Sequence, residues 1–405
     1  MAWTVTLVAG AAFVVLAAVL VPWRPYPGEL TLPDPVAVFG AEHVARAEAY
    51  AGQARLWSRL SLVVSVLTAC LLGFTRLRGA LTTRLRGPWW LQSVVVVVAL
   101  AVIGRLVTLP FGILLRRLQL REGLSEQSWG GYARDLLVSE AVAVVATALA
   151  VLVLTACVRR LPRAWPAAAA GIVAALVMLG SFVYPVLVEP LTHDFTSLPD
   201  GRLRTEILDL ADREGIAVDD VLVVDASRRT TTLNAYVSGF GSTRRVVVYD
   251  NLVAELPTDE ALAVVAHELS HAAHDDVLVG SLLGATGAAA AVGLLGLVAT
   301  GRRRRSPDLR TPAAVPWLLA VVALGSVVAT PAQSTISRQI ETRADVDALR
   351  TSDTEAFIRL QEQLAAHSLS DPDPAAWSQW WFGTHPTALQ RIALAEAIAT
   401  EGAYR

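Results

Sequence analysis

The chain has 405 residues, of which 54% are hydrophobic and 17% charged, with a net charge of −2 and a mean hydropathy of +0.49. A soluble chain carries about 25% charged residues; here the shortfall is gathered into long apolar runs, the pattern of a polytopic membrane protein. The near-neutral balance provides no basic field for nucleic acid, and two distant cysteines, Cys70 and Cys157, form neither a CxxC pair nor a disulfide framework.

Trp3 to Val21 is apolar, without a basic start or a small-residue cleavage site before Pro22, so it reads as a retained helix. A proline-rich stretch and a short helix near 40–55 lead to a second span at Leu56–Phe74. The third span, Trp89–Leu109, holds Arg105, whose place near the expected helix end favours snorkelling. An amphipathic connector over 110–134 precedes a fourth span, Leu136–Val158, and a fifth covers Trp165–Leu187. From Glu189 the composition turns soluble: a helix within 198–214, a buried strand Val221–Val224, and a hairpin of Thr231–Ser238 with Arg245–Tyr249 about Gly239 and Gly241. A Gly- and Ala-rich sixth span, Val277–Thr300, and a seventh, Pro312–Thr330, enclose the run Arg302–Arg305. The tail holds helices at Ser334–Arg350, Thr354–Leu369 and Pro386–Thr400. The expected organisation is 1–188 as five spans, 189–276 as a soluble α+β loop, 277–333 as a membrane hairpin and 334–405 as a helical tail. The fold class is therefore mainly α, a polytopic membrane protein of about seven transmembrane helices with a small α+β region built from a loop and the C-terminal tail.

The chemistry is concentrated in His267-Glu268-Leu269-Ser270-His271, within a helix-like run from Ala261 to Asp276. Histidines four apart share a helix face and can reach one metal ion, while Glu268 is placed to hold a water beside it as general base. The alternative, a chance match on an amphipathic helix, is the weaker account in a chain with only seven histidines. A catalytic zinc takes three protein ligands and leaves a position open. His274 and Val277 stand where a metzincin needs Gly and His, so that class is excluded. Two spans return the chain to the side of His271, where Glu341 and Asp345 lie four apart on one helical face. One can bind the metal while the other accepts the N–H of a ligating histidine; a salt-bridged surface with Arg338 and Arg343 is the bland alternative.

These motifs resemble the CAAX prenyl protease 1 family of integral-membrane gluzincins, with HtpX-like bacterial relatives. The likeness rests on HELSH (267–271), on ETRAD (341–345) two spans later, on Asn234-Ala235-Tyr236 with Gly239, and on His385-Pro386 with Arg391-Ile392. Leu109-Pro110-Phe111 adds a weaker match. The resemblance implies Zn2+ on His267, His271 and Glu341, Glu268 as base, and Asp345 behind a ligand histidine. It further implies Asn234, Ala235 and Tyr236 on an edge strand that pairs with the substrate backbone, His385 as oxyanion stabiliser and Arg391 ordering that region. The expected partners are a peptide or membrane-protein substrate and the lipid bilayer. His274 has no assigned role, and nothing in these residues reads an isoprenoid.

The resemblance puts the catalytic side in the cytoplasm. Loop charge opposes it, since 76–88, 159–164 and 300–310 hold four, three and five Arg against three and four in 22–55 and 110–134. The competing functions are a protease of lipidated or membrane-associated peptides, an HtpX-like quality-control protease, and a non-catalytic membrane sensor or scaffold. The intact HExxH with Glu341 argues against the last.

Overall fold

In the computed structural model, which describes residues 1–191, 193–238, 244–300 and 306–403, seven apolar runs fold as helices long enough to cross a membrane. In chain order come α1 (Ala2–Leu20), short α2 (Pro35–Phe39), α3 (Ala41–Phe74), short α4 (Leu77–Ala80), α5 (Trp89–Arg121), α6 (Trp129–Arg160) and α7 (Trp165–Val183). A π-turn over Tyr184–Val188 and a 3-10 turn over Glu189–Leu191 close the fifth span. Exposed Leu7, Val14, Leu67, Val102, Leu137 and Val145 cover the outside of this bundle. Such a large apolar exterior is stable only against lipid.

The helices run further than the apolar runs. α3 takes in both the short helix and the second span, and α5 passes through Pro110 to Arg121, leaving only 122–128 as the connector. Arg105 therefore sits well inside α5, and the snorkelling expected of it gives way to an ion pair. Its Nη2 is 2.5 Å from Glu140 Oε2 on α6. Pairing removes the cost of a lone charge at that depth.

The soluble part continues with β1 (Phe195–Ser197), α8 (Arg202–Arg213), β2 (Asp220–Val224), β3 (Ala235–Ser238), β4 (Arg245–Tyr249), α9 (Asp250–Glu255) and α10 (Thr258–Ala273). The sheet order is β1-β2-β4-β3, with β2 and β4 parallel and the outer pairs antiparallel. The expected hairpin is thus present as β3 and β4; its turn, including Gly239, lies outside the described residues. Ile207, Val221, Val246, Val248, Leu252, Leu269, Phe357, Leu360 and Leu394 form the core that joins the sheet to α10 and the tail.

The α5–α6 connector clamps the chain just ahead of β3. Ser125 Oγ donates to the Arg229 carbonyl, Thr231 N donates to the Leu124 carbonyl at 3.3 Å, and Arg229 Nε donates to Asp135 Oδ2 at 2.7 Å. Arg116, 3% exposed, supports the connector by donating to Ser125 Oγ and the Gln127 carbonyl.

After α11 (Asp276–Thr300), a single helix α12 runs from Val315 to Thr351. The expected break near residue 331 is absent: Pro331 lies inside α12, and one lost backbone hydrogen bond does not outweigh its packing against α3 and α10. At 37 residues α12 is about 55 Å long, well beyond the ~30 Å hydrocarbon core. Its second half therefore stands clear of the apolar layer and carries Glu341 and Asp345 to α10. The tail adds α13 (Thr354–Ser368), α14 (Ala376–Phe382) and α15 (Ala388–Ala403).

Candidate metal centre

Helix α10 starts after Pro257 with Asp259 and Glu260 in its first turn, favourable at the positive end of a helix dipole. Arg359 of α13 ties both down, at 2.7 Å to Asp259 and 3.1 Å to Glu260. Ala261, Ala263, Val264, Val265, Ala266, Leu269 and Ala272 are all buried, so the helix lies within the core and cannot turn on its axis. His267 and His271, one turn apart, then face α12. Past α10 the chain reverses at Asp275, a left-handed residue with φ 50°, and this returns Asp276 to His271.

Each histidine is fixed through Nδ1. His267 Nδ1 is 2.9 Å from Asp345 Oδ1, and His271 Nδ1 is 2.9 Å from Asp276 Oδ2. Carboxylates only accept, so both Nδ1 atoms carry the proton and both Nε2 atoms present lone pairs to the centre. Those Nε2 atoms stand 3.2 Å apart. Glu341 Oε2 is 3.3 Å from His267 Nε2, and its Oε1 is 3.8 Å from His271 Nε2. Glu341 Oε2 is also buried without a hydrogen-bond donor.

Two lone pairs and a carboxylate converging this closely repel one another unless a positive charge lies among them. The three side chains offer donor atoms within 4.8 Å of one another. Donors around a tetrahedral zinc with bonds of about 2.0–2.2 Å stand roughly 3.3 Å apart, so the residues fit a single ion of that kind. Burial lowers the His267 pKa, but the carboxylates of Asp345 and Glu341 outweigh it and push it up to about 10.

Around the centre lies a cleft of about 440 Å³, lined among others by Asn234, Ala235, Tyr236, Glu268, Ile340 and His385. Burial raises the Glu268 pKa against the opposing pull of His267 and His271, keeping its carboxylate basic. β3 forms the wall opposite α10. Among the described residues it pairs only with β4, and Tyr249 N donates to the Asn234 carbonyl at 3.0 Å. Antiparallel alternation then leaves the backbone of Ala235 and Val237 at the free edge.

His385 reaches the centre from the α14–α15 segment, with Nε2 3.4 Å from Glu341 Oε1 and its side chain 61% exposed. Thr384 Oγ1 lies 2.9 Å from His385 Nδ1; with the hydroxyl as donor, Nε2 carries the proton. Arg391 Nε donates to Asp345 Oδ2 at 2.8 Å and its Nη2 to Oδ1. The same Nη2 is 3.2 Å from His267 Nδ1, but this is no hydrogen bond, because that Nδ1 already directs its own proton to Asp345. His274 points away, pairing at 3.0 Å with Asp347, which Ser270 also binds.

The structure thus gathers His267, Glu268, His271, Glu341, Asp345, Asn234, Ala235, Tyr236, His385 and Arg391 about one cleft and leaves His274 outside it, while Gly239 lies outside the described residues. The role of Asp276 behind His271, and its pairing with Arg343, which donates to Asp276 Oδ1, were missed. No periodicity marks Asp276: it lies beyond a helix end and meets His271 only through the left-handed turn at Asp275.

Residues 197–399 match the family model of peptidase family M48, and residues 31–194 match that of the CAAX prenyl protease N-terminal region, five membrane helices. The chain belongs to peptidase family M48. An uncharacterized metalloprotease, YhfN, of Bacillus subtilis (strain 168) is 31% identical over 322 residues, 76% of this chain and 74% of that protein. The CAAX prenyl protease 1 of Saccharomyces cerevisiae is 42% identical over 95 residues, 23% of this chain and 21% of that protein. The crystal structure of S. mikatae Ste24p shares the fold, with a TM-score of 0.79 and 20% identity over 98% of this chain and 99% of that one. This M48 protein is a multi-pass membrane metalloendopeptidase, and its family implies a metal.

Proposed function

We propose that the protein is a zinc endopeptidase in which His267, His271 and Glu341 hold the ion and Glu268 is the general base. The observation that carries this reading is the pair of Nε2 lone pairs facing each other at 3.2 Å beside Glu341, each Nδ1 being committed to a carboxylate. When bound, the zinc supplies Lewis acidity, which acidifies a water and polarises a peptide carbonyl.

The other steps belong to side chains. Glu268 takes a proton from the attacking water and passes it to the leaving amine. His385 directs its Nε2 proton into the cleft, where it stabilises the oxyanion. Asp345 holds His267 in its working tautomer, and Arg391 holds Asp345. Asn234, Ala235 and Tyr236 lead into and along β3, whose free edge at Ala235 and Val237 takes an extended peptide as a further strand. Glu268→Gln should retain zinc and lose proteolysis by about 10²–10⁴-fold; parent-level cleavage by that variant would remove Glu268 from this role.

The substrates we propose are lipidated or membrane-associated peptides, supported by the membrane bundle next to the cleft and by relatives named as CAAX prenyl proteases. Cleavage rates of matched peptides with and without a prenyl group test this, and equal rates would remove the lipid from recognition. We place the cleft on the cytoplasmic side, following the family resemblance.

A further inference from the structure

The metal cleft has a side chamber. A second cavity of about 120 Å³ shares Asn234, His267, Glu268 and His385 with it and extends between α10 and α13. Its apolar lining is Leu233, Ala263, Val264, Phe357, Leu360 and Leu364, and Arg391 joins the polar residues shared with the cleft. One of the polar lining residues stands apart. Gln361 is 2% exposed, and its amide nitrogen has no hydrogen-bond partner.

A buried amide donor without an acceptor destabilises a fold, and packing alone is served better by leucine at such a place. The cost is recovered when an acceptor enters the chamber. From a peptide in the cleft the chamber is reached past Glu268 and His385, which flank the reacting bond in the proposed mechanism. Anionic side chains are disfavoured by Glu268 at the mouth and by Glu341 in the cleft beyond it, Arg391 being already paired with both oxygens of Asp345; cationic ones bring no acceptor for the amide and would lie beside that guanidinium.

We propose that the chamber receives one substrate side chain adjoining the scissile bond, and that Gln361 selects a neutral, unbranched side chain ending in a hydrogen-bond acceptor. Glutamine meets this description, its carboxamide pairing with that of Gln361; methionine has similar length without a strong acceptor. The assignment rests on the zinc-peptidase reading and adds a substrate preference to it.

The test uses full-length protein in detergent and fluorogenic peptides that differ only in Gln, Met, Glu or Phe on either side of the bond. In the parent, kcat/KM for Gln should exceed that for Met by roughly tenfold, the size set by leaving a buried donor unpaired. Gln361→Leu should reverse the order, and Leu364→Ala should raise Phe relative to Met by widening the chamber. Each comparison is a ratio within one preparation, so a smaller folded fraction cancels. No Gln preference in the parent, an unchanged ratio in Gln361→Leu, or no gain for Phe in Leu364→Ala overturns the assignment. Chelator-sensitive cleavage with a flat profile counts against the chamber alone, whereas cleavage that a chelator leaves intact counts against the peptidase reading.

Discussion

Asp345 and Asp276 do the same work for different histidines, yet their settings differ. Asp345 is fully buried and shared between His267 and Arg391, whereas Asp276 begins a helix and is shared between His271 and Arg343. An amide in place of either carboxylate keeps the shape but no longer holds the Nδ1 proton as firmly, and it leaves a cation underpaired. Partners of ligand histidines are worth about 10–100-fold in metal affinity. Asp345→Asn and Asp276→Asn should therefore both lose zinc to a competing chelator at about that ratio. Asp345→Asn should also lower the unfolding temperature more, because Arg391 is left buried beside an uncharged group. Parent-like zinc retention in both would dismiss the carboxylates as orienting groups.

At the scale of elements, the site depends on three pieces held in register: α10, the distal half of α12, and β3. Their chemistry was legible in the sequence because HELSH and ETRAD are local patterns, each placing its side chains on one helical face. The long-range features were not. Nothing local says that α12 continues through Pro331, that Arg105 finds Glu140, or that three residues at Phe195–Ser197 add a strand. Each of these depends on packing between segments distant in the chain. The clamp of the α5–α6 connector onto 229–231 belongs to the same class and fixes where β3 begins. Edge strands tolerate proline where the N–H faces outward. Val237→Pro should keep zinc and raise KM by roughly 3–10-fold, the worth of one hydrogen bond to substrate. An unchanged KM would show that peptides do not add to this edge.

For the molecule as a whole, the catalytic region gathers at one end of a seven-span bundle, and the remaining disagreement concerns which way that end faces. The loops at the far end carry more arginine, much of it in Arg302–Arg305, which lie outside the described residues. With the cleft in the cytoplasm, Arg310→Cys, made in a Cys70→Ser, Cys157→Ser background, should react with a membrane-impermeant maleimide in intact cells. Labelling only after permeabilisation would reverse the proposed orientation. The mechanism does not depend on that outcome; it depends on one ion in one place. The most direct measurement is zinc per chain in purified parent, Glu268→Gln and Glu341→Gln. The account predicts about one zinc per chain in the parent and in Glu268→Gln, and far less in Glu341→Gln. Full zinc in Glu341→Gln, or its loss from Glu268→Gln, would contradict it.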